Sequence, residues 1–194
     1  MIKNIGVVAI QGGFAEHIEM LEKLGCTCIE IRQRSDLSKH QLDGLILPGG
    51  ESTVIGKLLH ELDLFDKIKE MLDHGLPVLG TCAGMILLAK KIINDDNIYF
   101  GSMNITVRRN AYGKQSGSFF TNGDFGSFTD VPMVFIRAPY IEKVSANVEI
   151  LSEIDHHIVA ARQDKMIVTA FHPELTTDTR IHKYFLSLIE NQTT

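Results

Sequence analysis

Leu76-Pro77-Val78-Leu79-Gly80-Thr81-Cys82-Ala83-Gly84-Met85 joins an apolar run to a helical stretch through a turn that has a glycine on each side of a cysteine. The run Leu76 to Leu79 predicts a buried strand, and Met85 to Lys91 predicts a helix. A strand that turns this sharply into a helix crowds its own centre, so the residues two before and two after the central one must be small. Gly80 and Gly84 meet that demand. The stretch therefore predicts a nucleophile elbow with Cys82 as the nucleophile. It also sets the sulfur at a helix N-terminus, where the macrodipole and unpaired amides favour thiolate over thiol.

Working outward, the same alternation repeats. Ile5 to Ile10 is a continuous apolar run of the kind found in a strand buried on both faces, and Phe14 to Leu24 follows with helical spacing up to Gly25. Thr27 to Ile31 and Leu42 to Leu47 predict two more strands, the latter ending at Pro48-Gly49-Gly50, and Glu51 to Leu72 predicts one or two helices. Strands and helices that alternate over short connections predict a parallel sheet covered on both faces. After residue 98 the character changes. Phe100 to Phe128 is rich in Gly, Ser, Asn and Phe, and Val134 to Arg137, Val148 to Ser152, Ile158 to Ala161 and Met166 to Phe171 read as closely spaced short strands that pair antiparallel beside the parallel sheet. Thr177 or Asp178 can cap a last helix running to about Glu190, with Ile181, Tyr184, Phe185 and Leu188 on one face.

At 194 residues the chain suits one domain, residues 1–194, with no visible linker. A hydrophobic content of 44% with 22% charged residues is that of an ordinary globular chain, and a net charge of -5 leaves no polybasic footprint for nucleic acid or an anionic membrane. The start of the chain lacks the pattern of a secretory signal, and no apolar run is long enough to span a bilayer, so a cytoplasmic location is expected. Three cysteines, an odd number, argue for free thiols rather than a disulfide framework.

A cysteine nucleophile needs a base, and the base needs an orienting group. Of the eight histidines, His172 ends the apolar strand Met166 to Phe171 and is followed by Pro173 and Glu174. In a parallel α/β sheet the C-terminal strand ends share one edge, which is also where the elbow opens, so Cys82 and His172 can meet there. Glu174 is placed to accept the second imidazole N–H. Singly, Cys82 reads as a packed core cysteine and His172 as a loop histidine; together with the elbow and the carboxylate they read as a triad. The Gly49-Gly50 turn ends another strand at the same edge, and its amides, with that of Ala83, are candidates to receive an oxyanion.

These residues resemble the triad-type (class I) glutamine amidotransferases, whose glutaminase domain carries a Gly-x-Cys-x-Gly elbow, a His-Pro-Glu and a Pro-Gly-Gly oxyanion loop. Further segments resemble the branch of that family that serves pyridoxal 5'-phosphate synthase. They are Gly6-Val7-Val8-Ala9-Ile10-Gln11-Gly12 with Glu16-His17, Leu45 to Thr53, Gly80 to Met85, Arg109-Asn110-Ala111-Tyr112-Gly113-Lys114-Gln115, Phe135-Ile136-Arg137-Ala138-Pro139 and Phe171 to Thr176. The resemblance covers nearly the whole chain. It implies a three-layer α/β sandwich with a mostly parallel central sheet. It implies hydrolysis of L-glutamine to glutamate and ammonia by Cys82, His172 and Glu174 without cofactor or metal. It assigns the glutamine site to Gly50, Glu51, Ser52, Arg109, Ile136 and Arg137, the oxyanion site to Gly49, Gly50 and Ala83, and a partner-coupled role to Gln11. Its implied partner is a synthase subunit that takes up the ammonia in a large hetero-oligomer, for vitamin B6 synthesis.

Two rivals remain at this point: the glutaminase of another amidotransferase, and a non-catalytic or deglycase-like module on the same fold. Cys26 and Cys28 read as strand packing, His156-His157 as a loop and Asp95-Asp96 as a solvated turn. His17 has no chemical partner that the sequence can name.

Overall fold

The structure, a computed structural model, describes residues 2–109 and 117–190. Its strands are β1 (Asn4–Val8), β2 (Thr27–Ile31), β3 (Gly44–Leu47), β4 (Val78–Thr81), β5 (Ala89–Ile92), β6 (Met103–Arg108), β7 (Ser118–Phe125), β8 (Phe128–Ile136), β9 (Tyr140–Val144), β10 (Glu149–Ile154), β11 (His157–Gln163) and β12 (Met166–Thr169). Its helices are α1 (Phe14–Lys23), α2 (Asp36–Lys39), α3 (Ser52–Glu61), α4 (Phe65–Asp73), α5 (Ala83–Leu88) and α6 (Arg180–Glu190), with a 3-10 turn at Pro173–Leu175.

The main sheet runs β2-β1-β3-β4-β12-β11-β9-β6-β5, with β10 paired to β11. Its first five strands are parallel, in a register that sets Leu47 beside Gly80 and Thr81 beside Thr169. β3, β4 and β12 are buried along their whole length, as a sheet covered on both faces requires. The strand order reverses between β1 and β3. Since parallel crossovers are right-handed, α1 lies on one face and α3, α4 and α5 on the other. α6 returns to the α1 side, where His17 meets His182, and it packs Phe185 and Ile189 over Gly44 of β3. The expected three-layer α/β architecture is the one observed, and the antiparallel strands β11, β9 and β10 continue the sheet where the C-terminal half was expected to add them.

Several local expectations change. Glu51 to Leu72 forms two helices, α3 and α4, parted at Leu62-Asp63-Leu64 where Asp63 takes φ 60°. The helix after the elbow ends at Leu88 instead of Lys91, and Ala89–Ile92 is a strand that pairs parallel with β6. All six residues of α5 are buried, so the segment has no polar face, and an apolar run without a period does not reveal where helix gives way to strand. The Gly/Phe-rich stretch contains β6 and β7, and the latter pairs with β8 in a separate two-stranded sheet, with Phe119 stacked on Phe135 at 4.4 Å between centroids. Composition hid an alternation of exposed and half-buried residues along β7. His156-His157 is no plain loop: Asp155 and His156, both at positive φ, make the two-residue turn between β10 and β11, and His157 stacks on Tyr140.

Candidate active site

The parallel strands deliver their C-terminal ends to one edge, and the reversal between β1 and β3 opens a crevice there. Residues 11–13 follow β1, 49–53 follow β3, Cys82 follows β4 and His172 to Leu175 follow β12; together with Arg109 and Ile136, Arg137 and Pro139 they line a cleft of about 510 Å3.

Cys82 sits between β4 and α5 at φ 48°, ψ −99°, a conformation an L-residue holds only under tertiary constraint. Its amide donates to the Thr169 carbonyl at 2.7 Å, which ties the elbow to β12. The two small residues are required by contact: a Cβ on Gly84 would lie 2.1 Å from the Leu47 carbonyl oxygen, and one on Gly80 would lie 2.9 Å from the Gly84 backbone. The cysteine is 7% exposed, so the sulfur is reached only from the cleft.

His172 and Glu174 flank Pro173, which opens the 3-10 turn. The His172 amide donates to Val134 of β8 at 2.8 Å, and its Nδ1–H donates to Glu174 Oε1 at 2.7 Å. An ionised carboxylate only accepts, so this bond fixes the proton on Nδ1 and turns the other ring nitrogen toward Cys82. Burial alone would push the imidazole down, but hydrogen bonds to Cys82 and Glu174 and the charges they carry overcome it and raise it to about 10. Glu174 moves the opposite way. Burial would raise it, yet His17 and His172 hold it below the usual carboxylate range.

The Gly49-Gly50 loop approaches this pair closely. The Gly13 amide donates to the Gly49 carbonyl at 3.1 Å, and Gln11 Oε1 accepts from the Glu51 amide at 2.9 Å. Gln11 thus touches the loop directly. Ser52 begins α3 and is buried, while Glu51 reaches across the mouth to Arg137 at 3.0 Å. Ile136 offers its carbonyl to the Cys82 sulfur at 4.0 Å, and Arg137 holds φ 43°.

Arg109 lines the cleft, whereas Arg108, the last residue of β6, leaves it to pair with Glu142 at 3.1 Å. The remainder of the Arg109 motif, Asn110 to Gln115, lies outside the described residues. Asp95 is not merely a solvated turn residue. It clamps the Arg109 guanidinium at 2.8 Å, and Tyr99 accepts from the same group at 3.1 Å. Neither was legible in the sequence, because each approaches Arg109 from a loop ten or more residues away. His17 also gains partners: wholly buried on α1, it lies behind Glu174 with Nε2 3.3 Å from Oε2. A histidine three residues after Phe14 and four before Leu21, on the apolar face of an amphipathic helix, was the one signal that could have marked it. Cys28 packs its sulfur toward the Ile18 carbonyl, and burial pushes its thiol up to about 12. No cluster of metal-ligating side chains occurs among the described residues, and none of their helices is long and apolar enough to cross a membrane.

The model of the SNO glutamine amidotransferase family matches residues 7–191. The pyridoxal 5'-phosphate synthase subunit PdxT of Bifidobacterium longum is 53% identical over 189 residues, 94% of this chain and 99% of the relative. The protein of the same name from Methanocorpusculum labreanum is 54% identical over 186 residues, 96% and 97% of the two chains. Among solved structures, one described as a glutamine amidotransferase superposes with a TM-score of 0.90 at 41% identity, covering 96% of this chain and 98% of the other.

Proposed function

This chain belongs to the SNO glutamine amidotransferase family, and from that premise we propose that it is the glutaminase subunit of a pyridoxal 5'-phosphate synthase, with residues 1–194 forming one glutaminase domain. The observation that carries the reading is the meeting of Cys82, which follows β4, with His172 and Glu174, which follow the neighbouring β12, at one sheet edge, with His172 bonded to Glu174 at 2.7 Å.

Cys82, as the thiolate partner of imidazolium His172, attacks the side-chain amide carbon of L-glutamine. The tetrahedral oxyanion is received by the Ala83 amide and an amide of the Gly49-Gly50 turn, and loss of one such donor would cost about 3 kcal/mol of barrier, roughly a hundredfold. His172 gives its proton to the departing nitrogen, ammonia leaves and a glutamyl thioester remains. His172 then takes a proton from water, which attacks the thioester, and glutamate departs as the thiolate is restored. Residues Gly50, Glu51, Ser52, Arg109, Ile136 and Arg137 hold the substrate. Arg109 suits the α-carboxylate, since a guanidinium pairs with it bidentately and Asp95 and Tyr99 already hold that guanidinium in place.

Ammonia freed into water would be protonated and lost to synthesis, so the chain delivers it to a synthase subunit within a hetero-oligomer. Gln11 couples the two: bonded to the Glu51 amide, it transmits a docking contact to the oxyanion loop. The test is glutamate release from glutamine by the purified chain, with and without its synthase subunit, repeated for Cys82→Ala. Weak activity alone, a rise on adding the subunit and loss in the variant are expected. Activity that survives Cys82→Ala would refute the mechanism.

A further inference from the structure

Behind the triad lies a polar chain for which the scheme above has no use. Glu174 is all but fully buried, and only its Oε1 is hydrogen-bonded by His172. Its Oε2 faces His17 Nε2 at 3.3 Å. The same nitrogen lies 3.2 Å from Thr81 Oγ1, while His17 Nδ1 lies 3.0 Å from His182 Nε2 on α6. Both histidines are wholly buried, and among the described residues His182 Nδ1 has no hydrogen-bond partner.

Burial favours the neutral form of both rings. Burial lowers His17 despite the pull of Glu174, and burial together with His17 lowers His182 to about 3. Two neutral imidazoles in contact must choose which one donates. If His17 Nδ1–H donates, His182 is left with a buried N–H that nothing accepts, and His17 turns a lone pair onto a carboxylate oxygen. If instead His182 Nε2–H donates, the pair leaves only an idle acceptor at His182 Nδ1, and His17 presents Nε2–H to Thr81 and Glu174. Buried orphan donors are rarer and costlier than idle acceptors, so the second arrangement prevails.

On the premise that Cys82 hydrolyses glutamine, we propose that His17 is a positioning residue for that reaction. Its Nε2–H tautomer, imposed by His182, supports the free oxygen of Glu174 and keeps this carboxylate ionised and aimed at His172. The groups that bear on Glu174 are His172 from its own turn, His17 from α1 and His182 from α6, with Glu16 acting on His17 and Cys82 beyond His172. Among the described residues Oε2 makes no hydrogen bond, and the polar atom facing it is His17 Nε2 at 3.3 Å. Removing His17 takes that polar group away from a buried carboxylate oxygen and raises Glu174.

In His17→Leu the acid limb of kcat moves up by about one to two pH units. At neutral pH kcat falls about tenfold with KM within about twofold. His17→Gln, whose amide N–H reaches the Nε2 position, restores most of both. The pH dependence of Cys82 alkylation by iodoacetamide, followed on the Cys82 peptide, shifts with the same sign and needs no turnover. If wild-type protein fails to hydrolyse glutamine, the glutaminase reading falls while the alkylation profile still tests the role of His17. Nitrogen-15 NMR of the imidazoles in the wild-type protein reports the tautomer even if a variant does not fold. A His17 Nδ1–H tautomer would overturn the proposal, as would an acid limb unmoved in His17→Leu or an equal loss in His17→Gln.

Discussion

Gly49→Ala adds one methyl group at the point where the Gly49-Gly50 loop meets the His172 imidazole. Its Cβ would stand 2.3 Å from His172 Cε1, 3.0 Å from Nδ1 and 3.4 Å from the Cys82 Cβ. Ordinary contact begins near 3.4 Å, so ring or loop must retreat by about 1 Å. Cε1 lies between the two ring nitrogens, so a retreat of the ring disturbs its bond to Glu174 and its approach to Cys82 at once. A retreat of the loop strains instead the bonds from Gly13 to the Gly49 carbonyl and from Glu51 to Gln11. Either way the reacting groups are misplaced by about 1 Å, which costs roughly a hundredfold in kcat/KM, about 2.7 kcal/mol of barrier. Stability should suffer less. Overpacking costs about 1–3 kcal/mol, and each kcal/mol lowers Tm by about 2–4 °C in a chain of this size. Glutamate release coupled to a dehydrogenase reads the first effect, and thermal unfolding the second. Gly25→Ala is the control: at φ 82° with nothing within 4 Å of the added Cβ, it strains the backbone by about 1 kcal/mol and leaves kcat/KM untouched. A Gly49→Ala protein within threefold of wild-type activity would refute the contact geometry.

Asp95→Ala removes the clamp on Arg109, so KM for glutamine should rise about tenfold with kcat within about twofold; Arg108→Ala, which loses an exposed pair with Glu142 away from the cleft, should leave KM unchanged. Substrate titrations of both variants separate these outcomes, and equal effects would remove Arg109 from the glutamine site. His172 also links stability to pH. Its folded-state value of about 10 lies above its ordinary 6.5, so the stabilisation is complete below 6.5 and is lost as pH rises through about 10. Thermal unfolding of wild type and His172→Asn should therefore differ most below about pH 6.5 and converge above pH 10; a constant gap would show that His172 is not ionised as described.

Much of this fold was legible because buried parallel strands are continuous apolar runs punctuated by turns, as in Val78 to Thr81 and Gly44 to Leu47. The elbow was legible because the Gly80 and Gly84 positions tolerate no Cβ, a steric demand that writes itself into residue type. The end of α5 was not, since a wholly buried segment has no polar face to mark its period. β7 escaped notice for a related reason: its alternation runs between half-buried and exposed residues, too small a contrast for a sequence pattern.

The candidate site divides along the same line. Cys82, His172 and Glu174 could be picked out in the sequence because each stands at a strand end and carries a reactive group, and chemistry requires the three together. The supporting residues could not, because nothing about Asp95, Tyr99, His17 or His182 distinguishes them until folding brings them into contact. Asp95 reaches Arg109 across a loop, and His17 reaches Glu174 and His182 from helices separated by most of the chain. Local sterics and the chemical needs of a nucleophile act through residue type and spacing, so the sequence by itself determined the elbow, the parallel sheet and the choice of Cys82, His172 and Glu174 as candidates. The tautomer of a buried imidazole, the clamp on a guanidinium and the tilt of a carboxylate depend on burial and on partners distant in sequence, and those only the tertiary structure decided.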